Sequence, residues 1–184
     1  MTVSSAPYYT DNLLGSMFIG TTAAAGVKPP AYNATAHTFC LWNPVGSGKN
    51  IVPVRLSVGF VDTTGAAGNI VISYQNGVGS QAATGSPITA ITQVAPLSAY
   101  VNSGPPSVMK FAPATATFAA ATSLLMTTGI SQLVTTATDA TNGQWTSEYN
   151  FNGALIVPQG TAICVAGNIA LLSNMNITLV WQEI

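Results

Sequence analysis

Charge is what this chain lacks most: 5% of its 184 residues are Asp, Glu, Lys or Arg, against about 25% in an ordinary soluble domain. Four basic residues (Lys28, Lys49, Arg55, Lys110), five acids (Asp11, Asp62, Asp139, Glu148, Glu183) and one histidine, His37, are the whole inventory of strongly ionic or readily titrating groups. That shortage argues against nucleic acid as a partner, because such binding is driven by Lys and Arg displacing counterions from phosphates. It also argues against an enzyme, since general acid–base chemistry needs a titratable group held against a second polar group. Apolar runs of membrane-spanning length are missing, so no membrane partner is expected. The amino terminus lacks a basic segment followed by an apolar run of about 7–15 residues, and so does not read as a secretory signal. Cysteine is scarce as well. Cys40 and Cys164 sit in the apolar stretches TFCLW and AICVAG, at a spacing that fits no metal site. They read either as a disulfide joining the first and last parts of a sheet or, as their apolar settings favour, as two buried thiols. No cofactor is implied.

What is present is apolar surface. Hydrophobic residues make up 48% of the chain and the mean hydropathy is +0.41, a balance that asks for cover from another protein surface when no membrane absorbs it. Self-association is the first functional expectation. The length suits one domain, able to bury roughly 70% of its unfolded surface without staples.

Residues 1–36 read as an extended arm and residues 37–184 as the folded domain. The arm is rich in small residues, and the pair Pro29–Pro30 fixes extended geometry and removes two backbone donors. Its apolar side chains Leu13, Leu14, Met17, Phe18 and Ile19 are costly to leave in solvent, so they should lie along the chain's own domain or along a neighbour. Together with Pro29 and Pro30 they are the candidate partner contacts.

From Thr38 the pattern becomes strand-like. TFCLWNP ends at Asn43–Pro44, VGSGKN forms a polar loop, and Val52, Val54, Leu56, Val58 and Phe60 then alternate with Pro53, Arg55, Ser57 and Gly59, the period of a half-buried strand. DTTGAAGN supplies turn residues before NIVISY, which suggests an antiparallel pair, and a glycine-rich loop leads to a strand over Ile88–Val94. Between Ala112 and Gln144, Ala favours helix while Thr favours strand. A short helix over Thr117–Met126 is one reading, and strands joined by long loops are the preferred one. In GALIVPQGTAICVAGN, the turn Pro158-Gln159-Gly160 separates two apolar runs, folding them back or redirecting the strand. The closing MNITLVWQEI places Ile177, Leu179 and Trp181 on one face, expected against Val54, Leu56 and Val58. These features describe an all-β fold, an antiparallel sandwich of jelly-roll type.

Several motifs carry little chemistry. Gly46-Ser47-Gly48-Lys49 has Asn43 where a phosphate loop needs Gly and Asn50 where it needs Ser or Thr, so it reads as a turn. The glycosylation triplets Asn33-Ala34-Thr35 and Asn176-Ile177-Thr178 matter only in a secretory pathway. His37 has no Cys, Asp or Glu at ligand spacing. Asp139 and Glu148, near Trp145 and Tyr149, could flank a glycosidic bond, but with no further catalytic group they read as part of a solvent-facing loop.

The stretches TAAAGVKPP, ATAHTFCLWNPVGSGKNIVPVRLSVGFV, ALIVPQGTAICVAGN and NITLVWQEI resemble small structural proteins of tailed bacteriophages, with head decoration, or cement, proteins as the nearest role. The resemblance covers the first third and last sixth of the chain. It implies a β-sandwich that binds the major capsid protein on the outer surface of the phage head, commonly as a homotrimer, after synthesis in the host cytoplasm. No catalytic residue is carried over. A receptor-binding or fibre-tip adhesin of the phage tail is the alternative, with aromatic loops facing host glycans.

Overall fold

A computed structural model describes residues 9–61, 66–76, 88–91, 97–99, 104–114, 116–132, 146–170 and 172–184. After a single turn of helix, α1 (Tyr9–Leu13), the described elements are β1 (Met17–Thr21), β2 (Ala36–His37), β3 (Cys40–Asn43), β4 (Ile51–Phe60), β5 (Gly68–Gln75), β6 (Ile88–Ile91), β7 (Leu97–Ser98), β8 (Lys110–Ala112), β9 (Ala116–Phe118), β10 (Ser123–Gln132), β11 (Thr146–Asn150), β12 (Thr161–Gly167) and β13 (Met175–Glu183). They form a front sheet in the order β11-β4-β13-β1-β7, a back sheet in the order β10-β5-β12-β3-β8, and a small sheet β2-β9-β6. Every pairing is antiparallel. The all-β sandwich expected from the sequence is thus the observed fold.

Pairing is nested. β1 pairs with β13, β3 with β12, β4 with β11 and β5 with β10, while β13 also pairs β4 and β12 also pairs β5. β4 and β5, expected as an antiparallel pair, therefore lie in opposite sheets.

The two large sheets close over one core. Phe18, Leu56, Val58, Ile177, Leu179 and Trp181 of the front sheet meet Leu41, Ile70, Ile72, Phe111, Ile163 and Val165 of the back sheet. On β13 the period of two holds throughout: Met175, Ile177, Leu179, Trp181 and Glu183 are buried and the intervening residues are not. On β4 it breaks. Trp181 pairs with Pro53 and Val180 with Arg55, so Val54 is an extra residue in a bulge. A bulge shifts the alternation by one, which puts Ile51, rather than Val52, in the core ahead of it and Leu56, Val58 and Phe60 after it.

β12 is buried along its whole length. Ile163 and Val165 face the main core, whereas Ala162 and Cys164 face a second cluster with Cys40, Ala112, Ala116 and Phe118, where the small sheet covers the back sheet. Alanine on the covered face lets that third layer approach closely. Cys40 and Cys164 stand opposite each other in this register, with their Cα atoms 4.1 Å apart, and are joined as a disulfide. Two separate buried thiols were the favoured reading; strand pairing, invisible in the sequence, brings them together.

The segment expected as an arm is partly sandwich. Residues 17–21 form β1, flanked by β13 and β7, and Gly20 is bare because a Cβ there would stand 2.8 Å from the Phe111 ring. The middle of the chain holds strands β9 and β10 where a helix over Thr117–Met126 was the other reading. The turn Pro158-Gln159-Gly160 redirects the chain: Val157 bridges Ile51 of the front sheet and Thr161 begins β12 in the back sheet.

Candidate functional site

Asn43, His37 and Glu183, buried polar side chains among the described residues, are bound to the fold's own groups. Asn43 is fully buried; its side-chain amide donates to the Lys49 carbonyl at 2.9 Å and to the Val157 carbonyl at 3.0 Å, and its oxygen accepts from Ser47 Oγ at 2.6 Å. Gly46 and Gly48 there have φ of 84° and 72°, values that favour glycine. The GSGK motif is therefore a turn bound to Asn43.

His37 on β2 is buried against the edge of Phe118, ring centroids 5.9 Å apart. Its Nε2 lies 2.9 Å from Thr122 Oγ1 and 3.1 Å from the Ala34 carbonyl. Thr122 donates its own proton to the Tyr32 carbonyl, so both neighbours accept, and the ring proton belongs on Nε2. Nδ1 has no hydrogen-bond partner. Burial pushes the pKa down to about 4, against a smaller upward pull from the Ala34 carbonyl, so the ring is neutral near pH 7. Among the described residues no three His, Cys, Asp or Glu come close enough to hold a metal.

Glu183 is buried at the end of β13. Its Oε1 accepts from Ser107 Oγ and from Trp181 Nε1, and its Oε2 accepts from the Val108 amide at 3.4 Å. It ties the approach to β8 to the last strand. Glu148 lies on the front sheet's outer face, 3.7 Å from Arg55 and accepting from Ser57 Oγ at 3.1 Å. Tyr149 turns inward against Phe151. Asp139 and Trp145, the other half of the glycosidase reading, lie outside the described residues, as does Asp62.

The surface offers more than the interior. A groove of about 250 Å³ opens at one end of the sandwich, lined by Tyr74 and Asn76 at the end of β5, Leu125 of β10, Leu155–Pro158 after β11, and Thr161 and Ile163 of β12. No lining side chain is charged. Met126 pairs with Ile72 and Leu124 with Ser73, leaving Leu125 as an extra residue in an edge-strand bulge. Such bulges re-aim side chains, and here both Leu124 and Leu125 are exposed. Ile156 on the groove is 57% exposed.

Of the candidate contacts, Leu13 at the end of α1 and Leu14 in the turn after it are 56% and 72% exposed. Met17 and Phe18 are buried, and Phe18 belongs to the main core, so these two serve the chain's own fold and are not free partner contacts. Ile19 is half-buried beside the exposed Leu97 of β7, its neighbour in register. Pro29 is buried and Pro30 half-buried, close to the point where Ala31 bridges Gly167. The sequence reading missed the groove, because its lining comes from four separate stretches of chain. The chain matches no described protein family, no curated protein and no solved structure, and no helix among the described residues is long and apolar enough to cross a membrane.

Proposed function

We propose that this chain is a structural virion protein, a capsid decoration or cement protein that binds the major capsid protein on the outer surface of a tailed-phage head as a homotrimer. The observation that carries this reading is the pairing of large exposed leucines and an uncharged groove with a surface almost bare of charge. Such a surface is suited to contact by area. The nested strand order supports a jelly roll, an architecture shared by viral capsid and lectin domains.

The energetics suit the role. A contact removing about 800 Å² from each partner would contribute a gross term near 20 kcal/mol at about 25 cal/mol per Å², much reduced by the entropy of association. Few ion pairs are needed for that.

The test is location in purified particles. Copies on the head in proportion to the capsomers, with rebinding of the purified protein to stripped heads, support decoration. A few copies confined to the tail overturn it in favour of the adhesin.

A further inference from the structure

We propose that copies of this chain associate head to tail, with Leu13 and Leu14 of one copy seated in the apolar groove beside β10 and β11 of the next. The inference rests on reading the protein as a self-associating subunit, and names the two surfaces that would meet.

Strand order separates these surfaces across the sheets, while register keeps both at one end of the sandwich: Ser16 accepts from Glu183, Glu183 pairs with Ile51, and Ile51 bridges Val157 of the groove. β11 and β10 are the edge strands on one flank and pack near each other; β7 and β8 are the edges on the other. The groove runs from β10 across the ends of β5 and β12, closed by the 155–158 segment. The helix end and turn carrying Leu13 and Leu14 lie beside β7 and the approach to β8: a Cβ on Gly15 would meet Pro105, and one on Gly104 would meet Ser98 of β7. That close packing holds the turn in place. Two different patches of matching apolar chemistry make a heterologous contact, which closes into a ring when the rotation between copies permits. A homotrimer is one such ring.

The sizes agree. A dry protein cavity of about 150 Å³ accepts the six carbons of benzene, so a groove of about 250 Å³ has room for the four side-chain carbons of a leucine and part of a second. Chemistry agrees as well. The groove buries no charge that would lose its water, and its polar atoms are partly satisfied internally, since Thr161 Oγ1 donates to Asn76 Oδ1 at 3.3 Å. Leu124 and Ile156, both exposed, are placed to extend the contact around the groove.

Single cysteines test the pairing. Leu14→Cys and Ile156→Cys replace exposed side chains, and the native cysteines are already bridged. With a short bis-maleimide, a mixture of the two variants should give a cross-linked dimer that neither gives alone, and a chain with both changes should give closed oligomers. Leu14→Glu should shift sedimentation towards monomer, with a denaturation midpoint that matches the wild type's when both are diluted to monomer. Should the wild type sediment as an oligomer while the mixture fails to cross-link, or while either variant links to itself instead, the proposed contact is wrong and self-association stands. A wild type that stays monomeric at high concentration overturns both.

Discussion

Phe18 and Trp181 are partners twice over: they face each other in the register of β1 and β13, and their rings stack with centroids 6.2 Å apart at 28°. Phe111 of the opposite sheet reaches the same indole at 6.3 Å. Trp181 is fully buried, so Trp181→Ala opens a cavity between the sheets and should cost about 3–5 kcal/mol. Chemical denaturation reads this directly. A loss below about 1 kcal/mol, the scale of a peripheral substitution, would contradict the placement of the ring.

His37 makes stability depend on pH in the acid range. With a folded pKa of about 4 against about 6.5 unfolded, the unfolded chain binds the extra proton first. Stability is therefore full above about pH 6.5 and falls as pH drops towards 4, by up to about 3 kcal/mol in all. Denaturation midpoints across that window, compared with His37→Asn, isolate the effect. A wild type whose pH slope matches the variant's would place the imidazole in solvent.

The disulfide closes a loop with a sequence separation of 124 residues. Replacing both cysteines by alanine should lower stability by about 2–4 kcal/mol, and reductant should lower it only in the wild type. Equal midpoints with and without reductant would show that the bridge is not formed in solution.

Glu183 gathers three donors, from Ser107, Val108 and Trp181. Glu183→Ala leaves the buried indole N–H of Trp181 without its acceptor, at about 1–3 kcal/mol, and frees the half-buried Ser107 and exposed Val108, whose amide should exchange its hydrogen faster. Glu183→Gln keeps an acceptor and should lose less. If alanine and glutamine behave alike, the side chain is not holding the 107–109 segment.

Assembly should be nearly indifferent to ionic strength, because screening acts on charges and the one ion pair among the described residues, Arg55–Glu148, is about half exposed. Oligomer and head-binding affinities measured at low and high salt check this. A steep fall with salt would point to an electrostatic contact instead.

The elements legible in the sequence were those whose burial follows a single period. β13 shows its faces in Ile177, Leu179 and Trp181, and β4 does so from Leu56 onward. Where bulges intervene, at Val54 and Leu125, alternation misleads, since one added residue exchanges the faces. Met17, Phe18 and Ile19 read as an apolar patch because consecutive hydrophobes look alike whether they lie on a partner or inside a sheet; pairing to β13 decides between the two. Pairing also joined Cys40 to Cys164 and separated β4 from β5. Local patterns carry no information about which distant segment will lie alongside, so the groove, built from four such segments, was beyond them.

The position of β13 has a consequence for how the protein is made. It is the third of five strands in the front sheet, flanked by β4 and β1, yet it is the last of these strands to leave the ribosome. At translation rates of about 5–20 residues per second, the half-made chain waits roughly 6–25 s after β4 without the strand that joins those two. During that interval the faces of β1 and β4 are open to the wrong neighbour. Folding therefore waits on the arrival of residues 175–183, and a growing polypeptide has no finished subunit to offer an assembly before then.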